Sequence, residues 1–380
     1  MGGNQNGPGD DIVAGQGLKA KDERCYKKPG VIQVSILFSI TIILFVFIGY
    51  RVQNRNLYAG LLITEFGLIM LPAFLFLLVF RFDLKAILRL KGTKILNFLV
   101  TFGIMLFALP LASVFNLINL LLVNSIFGKV IVQQPPVAQN GKELLVGILV
   151  IAGSAGLCEE FLFRGVIQRG FERFGAVKSI LLAAFLFSLT HMDFQKIFGT
   201  FMLGALIGFI VYKTDSLYCG MFAHFTNNAL AVLISYAATK LMSIFQSTGV
   251  SIPKDTDINT LFSSFSGLPP QQLIIILFIY GFVFLCIATL FVLLLYALIR
   301  MNPNQGRQLT HANALSAFSS SAVSPTVAPS PAPALPGGGA RSLLWLLPGI
   351  LLVACIYFIE VHNFTGVENE FIDFARRLLF

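Results

Sequence analysis

Nine separate stretches of this chain are apolar, most of them over the roughly 20 residues that a helix needs to cross the hydrocarbon core of a bilayer. They run approximately over 31–50, 58–80, 95–124, 144–170, 176–191, 195–212, 217–237, 271–299 and 343–360. A soluble fold could not hide so much Leu, Ile and Phe. Only 12% of the residues are charged and 56% are hydrophobic, against about 25% charged in an ordinary soluble domain. The expected fold is therefore all-α: a polytopic transmembrane bundle of about nine spans, integral to the membrane and multi-pass.

The net charge of +9 invites a nucleic-acid partner, but the Lys and Arg cluster at the ends of apolar runs, where they orient a membrane protein. No nucleic-acid partner is expected. The partners implied are the lipid bilayer and a membrane-associated protein or peptide. With the N-terminus in the cytoplasm, 17 Lys and Arg fall on the cytoplasmic side and 9 on the other, Arg164 lying inside a span. This bias predicts a cytoplasmic N-terminus. The five cysteines show no metal-ligand spacing, and no disulfide framework or cleavable signal is expected.

The organisation expected is a basic polar tail over 1–30, N-terminal spans over 31–143, a core over 144–240, a loop and eighth span over 241–300, a linker over 301–342, and a last span with its tail over 343–380. The linker contains SSSAVSPTVAPSPAPALPGGGA, a composition typical of a disordered tether. Such a tether predicts that the last span is an appendage. Two details carry expectations of their own. Pro110 inside the third span predicts a kink or a re-entrant piece, and Leu84, Ile87, Leu88 and Leu90 among cations predict an interfacial amphipathic helix.

Ionisable groups at bilayer depth cost several kcal/mol, so each is a candidate functional residue. The fourth span holds Glu159, Glu160 and Arg164. Glu160 and Arg164 are spaced i, i+4 on one helical face, acid first, which is the favourable order. Glu159 points roughly 100° away and is free to face something else. Two adjacent carboxylates in different surroundings suit a general base with a supporting neighbour; a buried ion pair that merely locks two helices is the alternative. Two of the four histidines, His191 and His224, also lie in apolar spans, and Asn228 follows His224 by one turn. Counted at 1.5 Å per residue from the nearest turns, Glu159 and His191 lie roughly 23 and 25 Å deep, His224 and Asn228 roughly 14 and 20 Å. Helix tilt can absorb that spread, so one pocket between spans four, five and seven is feasible.

A carboxylate and a neutral imidazole can together deprotonate a water molecule. A second histidine with an amide at i+4 offers donors for the oxyanion of a tetrahedral intermediate. The set suits amide hydrolysis without a cofactor. Glutamate and histidine are also zinc ligands, so a metal-bound water stands as the alternative, with Glu159, His191 and His224 as ligands. A lone Glu65 in the second span fits a proton path, as in a proton-coupled transporter, but no repeated halves with interrupted helices accompany it.

In order, E159-E160-x-x-x-R164, F187-x-x-x-H191 and H224-x-x-x-N228 resemble the three motifs of the CAAX prenyl protease type II and bacteriocin-processing family of intramembrane peptidases. The resemblance covers roughly 144–240, about a quarter of the chain. It implies an intramembrane endopeptidase in which Glu159 activates water with help from His191. Glu160 and Arg164 would be the supporting pair, and His224 with Asn228 the oxyanion-binding pair. The family has been described both as metallo and as metal-independent glutamic peptidases, and the Glu/His/Asn set favours the latter. A non-catalytic scaffold or immunity protein on the same fold is the remaining alternative.

Overall fold

A computed structural model describes residues 27–130, 138–248, 268–303, 339–365 and 372. The basic run before residue 27 with Cys25, and the linker over 304–338, lie outside the described residues. The described chain is helical with no strands. Eight helices are long and apolar enough to cross a membrane: α1 (Val31–Arg55), α2 (Leu57–Val79), α3 (Ile95–Phe127), α4 (Gly141–Phe174), α6 (Phe194–Thr214), α7 (Leu217–Ser247), α8 (Pro270–Met301) and α9 (Arg341–His362). A shorter apolar helix, α5 (Ala176–Thr190), completes the nine. The all-α polytopic bundle read from the apolar runs is thus the observed architecture.

Several details depart from the sequence reading, each for a packing reason. Pro110 lies inside a continuous α3, which leaves no re-entrant piece there. The segment after α2 forms only a short turn of helix, Leu84–Ile87, capped by Asp83, whose carboxylate accepts from the Ala86 N–H at 3.1 Å. One side of it, Ile87, Leu88 and Arg89, is buried against the bundle, while Arg81, Asp83 and Lys85 stay exposed. The last helix is not an appendage. Val353, Ile356 and Ile359 join the main core with Phe38 and Ile42 of α1. Gly349 lets α9 approach α1 closely enough that an added Cβ would meet the Ser39 backbone at 3.1 Å. Such small-residue contacts are how membrane helices pack without a hydrophobic drive between them.

Helix α5 has 15 residues, a rise of about 22 Å, short of a roughly 30 Å hydrocarbon core. The chain reverses directly after it, with Met192 at a left-handed φ of 48°. Non-helical backbone inside a membrane protein needs partners from neighbouring elements. Here Asn119 of α3 donates to the Phe194 and Gln195 carbonyls at 2.9 and 2.7 Å. Glu360 of α9 accepts from the Phe194 N–H at 3.2 Å. Polar residues on two distant helices, the buried Asn119 and the half-buried Glu360, thus hold the turn that follows His191.

Candidate active site

The site begins with a close approach of α4 and α7. A Cβ added to Gly156 would stand 3.0 Å from the Phe225 nitrogen and 3.1 Å from the Met221 carbonyl. Backbone contact of this kind brings Glu159 and Glu160, one turn on, against His224. Helix α6 closes the third side with Gly204 and Gly208 at a four-residue spacing. Gly204 packs on Ala184 and Phe187 of α5, and its carbonyl accepts from Arg164 Nη2 at 2.9 Å.

Within this frame Glu160 and Arg164 pair as their i, i+4 spacing requires, with Arg164 Nη1 donating to Glu160 Oε1 at 2.7 Å and both side chains buried. The guanidinium also lies over the Phe187 ring, 4.6 Å from its centroid, a favourable cation–π placement. The same Glu160 oxygen stands 2.8 Å from His224 Nδ1. Because a carboxylate has only acceptors to offer, Nδ1 carries the hydrogen and donates it. That bond fixes the ring and turns Nε2 toward Glu159, whose Oε2 is 3.9 Å away.

Glu159 differs from the fully buried Glu160 in being partly accessible. Its Oε2 is buried with no hydrogen-bond partner, although 12% of the side chain remains accessible. His191 is exposed at the end of α5, its ring edge-on to Phe187 at 5.1 Å. His224 meets the same Phe187 ring at 5.7 Å, so one aromatic side chain spaces the two imidazoles. Asn228 sits one turn beyond His224, half-buried, with its Oδ1 accepting from Asn227 Nδ2 at 3.0 Å. Its amide N–H groups are left for another acceptor.

The structure therefore joins Glu159, Glu160, Arg164 and His224 in one contact set. His191 adjoins it across Phe187, within electrostatic reach of His224 and Arg164, and Asn228 borders it along α7. Among the described residues, no group of three or more His, Cys, Asp or Glu side chains stands where it could hold a metal ion. Two contributors were not assigned from the motifs. The Gly204 carbonyl carries no side-chain signal at all. Glu65 of α2 is buried within electrostatic reach of Glu159, and its only signal was a lone acid in an apolar span.

Local backbone geometry supports these placements. Both Ile63–Met70, around Glu65, and Phe161–Ile167, around Arg164, are wound as π-helix. Wide turns of this type are rare and recur at functional sites, where they re-aim side chains.

Comparison with known proteins bears on the same segment. Residues 141–230 match the family model described as Type II CAAX prenyl endopeptidase Rce1-like. No curated protein and no solved structure matches the chain. The matched segment contains all seven motif residues and ends two residues after Asn228.

Proposed function

We propose, from the match of residues 141–230 to the Type II CAAX prenyl endopeptidase Rce1-like model, that this multi-pass membrane protein is an intramembrane endopeptidase. It hydrolyses a peptide bond of a membrane-associated protein or peptide with a water activated by Glu159 and His191. One observation carries the reading: Glu159 keeps an unpartnered carboxylate oxygen beside a histidine that the Glu160–Arg164 pair holds in place.

In this mechanism the Glu159 carboxylate takes a proton from water as the oxygen attacks the scissile carbonyl, and His191 at the open edge holds the same water. The oxyanion forms opposite the Asn228 amide, which donates to it, as does His224 Nε2 when protonated. Glu159 then returns its proton to the leaving amine. Glu160 and Arg164 touch neither water nor substrate; they set the His224 ring. No step requires a metal, and amide side chains such as Asn228 are poor zinc ligands but good oxyanion donors. By charge bias the N-terminus lies in the cytoplasm, which puts the α4–α5 turn on that side.

The test is comparative membrane proteomics of cells carrying wild-type or Glu159→Ala protein. Uncleaved precursors are expected to accumulate only with the variant. Chelation of purified protein by EDTA or phenanthroline should leave cleavage intact. One tightly bound zinc per chain, lost on His224→Ala, contradicts the metal-independent step.

A further inference from the structure

Where α1 begins and α4 ends, a cavity of about 310 Å³ opens between Lys28, Gly30, Arg169, Glu172, Arg173 and Ala176. That volume lies at the lower end of the range for ligand sites, roughly 300–1,000 Å³. Along α4, Glu172 stands about 20 Å from Glu159 at the helical rise, so the cavity is no part of the catalytic site. Val31 opens one apolar span and Phe174 closes another. The ends of spans mark the edge of the hydrocarbon core, which puts the cavity at the level of lipid headgroups.

Its lining is unbalanced in charge: three cations, Lys28, Arg169 and Arg173, accompany one carboxylate, Glu172. Glu172 is already used. It accepts from Lys28 Nζ at 3.1 Å, from Arg169 Nη1 at 2.9 and 2.7 Å, and from Arg89, which fills the roughly four acceptor positions of a carboxylate. Those bonds fix Lys28 and the 2% exposed Arg169 at the cavity. Arg173 is exposed and forms no ion pair among the described residues. Gly30, the N-cap of α1, lines the same space, so the positive end of a helix dipole adds to the excess.

We propose that this cavity binds a phosphate group, carried by the headgroup of an anionic phospholipid, with Arg173 pairing to its oxygens and Lys28 and the α1 N-terminus supplying positive potential around it. Guanidinium groups suit phosphate because they donate two parallel N–H···O bonds to it. The charge bias that sets the N-terminus in the cytoplasm puts the cavity in the cytoplasmic leaflet, where anionic lipids collect. Basic pockets between helices at that level accept such headgroups. The inference stands apart from the peptidase reading and survives its failure.

Isothermal titration of the full chain in detergent supplies the test, with dihexanoyl phosphatidic acid, dihexanoyl phosphatidylcholine and inorganic phosphate as probes. Two variants accompany the wild type. Arg173→Gln removes the cation that no acid engages and leaves the Glu172 bonds in place; Ala176→Phe fills the cavity and leaves every charge. The wild type is expected to bind phosphatidic acid at one site per chain and phosphatidylcholine far more weakly. Arg173→Gln should weaken phosphatidic acid by about fivefold, the scale of one cation at an anionic surface, and Ala176→Phe by at least as much. Equal binding of the two lipids by the wild type, or wild-type affinity in Arg173→Gln, overturns the proposal. Wild-type affinity in Ala176→Phe places the lipid outside the cavity and overturns it as well. Inorganic phosphate that binds with the same dependence on Arg173, while phosphatidic acid does not bind, makes the ligand a free anion and sinks the lipid assignment.

Discussion

Two buried charge clusters in this bundle use the same residue types to opposite ends. At the end of the bundle that carries Lys28, Glu172 is saturated. Its Oε1 accepts from Arg89 and Arg169, and its Oε2 from Arg169 and Lys28. Arg89 also binds Asp215, so the cluster ties the α2–α3 loop to the α4–α5 and α6–α7 turns. Deeper in the bundle, Glu159 and Glu160 each keep a buried oxygen with no partner, while Arg164 and His224 hold Glu160 still. The first cluster closes a helix end; the second holds acceptors in place without satisfying them. Burial of charge is common to both and says little about function. What separates a staple from a site is acceptor capacity left open and fixed in position.

This contrast can be broken by substitution. Arg164→Ala should have the largest effect, about 3–5 kcal/mol of stability, because it leaves Glu160 buried and uncompensated, and cleavage should fall with it. Unchanged thermal melting of that variant contradicts the pairing. Glu172→Gln should melt earlier by a comparable energy, yet keep wild-type turnover per folded molecule; a specific loss of kcat there erases the distinction between the clusters. Asn228→Ala leaves both ion clusters intact and should cost about 10²–10³ in kcat, as loss of one oxyanion donor does, with KM little changed. Smallest is Glu360→Gln, which weakens one hydrogen bond to the turn after His191. It should cost about 1 kcal/mol in melting. A larger drop in kcat than in stability would show that α9 also positions His191.

Much of this was legible because it is local. Glu160 and Arg164 are four residues apart on one helix, so their pairing follows from helical geometry, and nine apolar runs announce nine helices. What stayed hidden depends on contacts between distant segments. Composition marks 301–342 as a tether, but it could not say whether the helix beyond it packs. The decisive features are Gly349 against Ser39 and Glu360 at the Phe194 N–H. Hydropathy ranks α8 above α9, yet only Leu298 of α8 is buried. Likewise the cations around Leu84–Leu90 suggested an interfacial helix, whereas Arg89 turns inward to two carboxylates on other loops. Glu65 was visible as an anomaly, but its nearness to the α4 carboxylates was not.

The central claim is that Glu159 activates the water while the Glu160 pair only holds the scaffold. Reconstituted wild type, Glu159→Ala and His191→Ala, each supplied with a farnesylated CAAX peptide, test it through mass spectrometry of the released tripeptide, with thermal melting followed in parallel. The account predicts release by the wild type, none by either variant, and melting of Glu159→Ala no lower than wild type, since that change removes an unsatisfied buried acceptor. Tripeptide release by Glu159→Ala at the wild-type rate would contradict it.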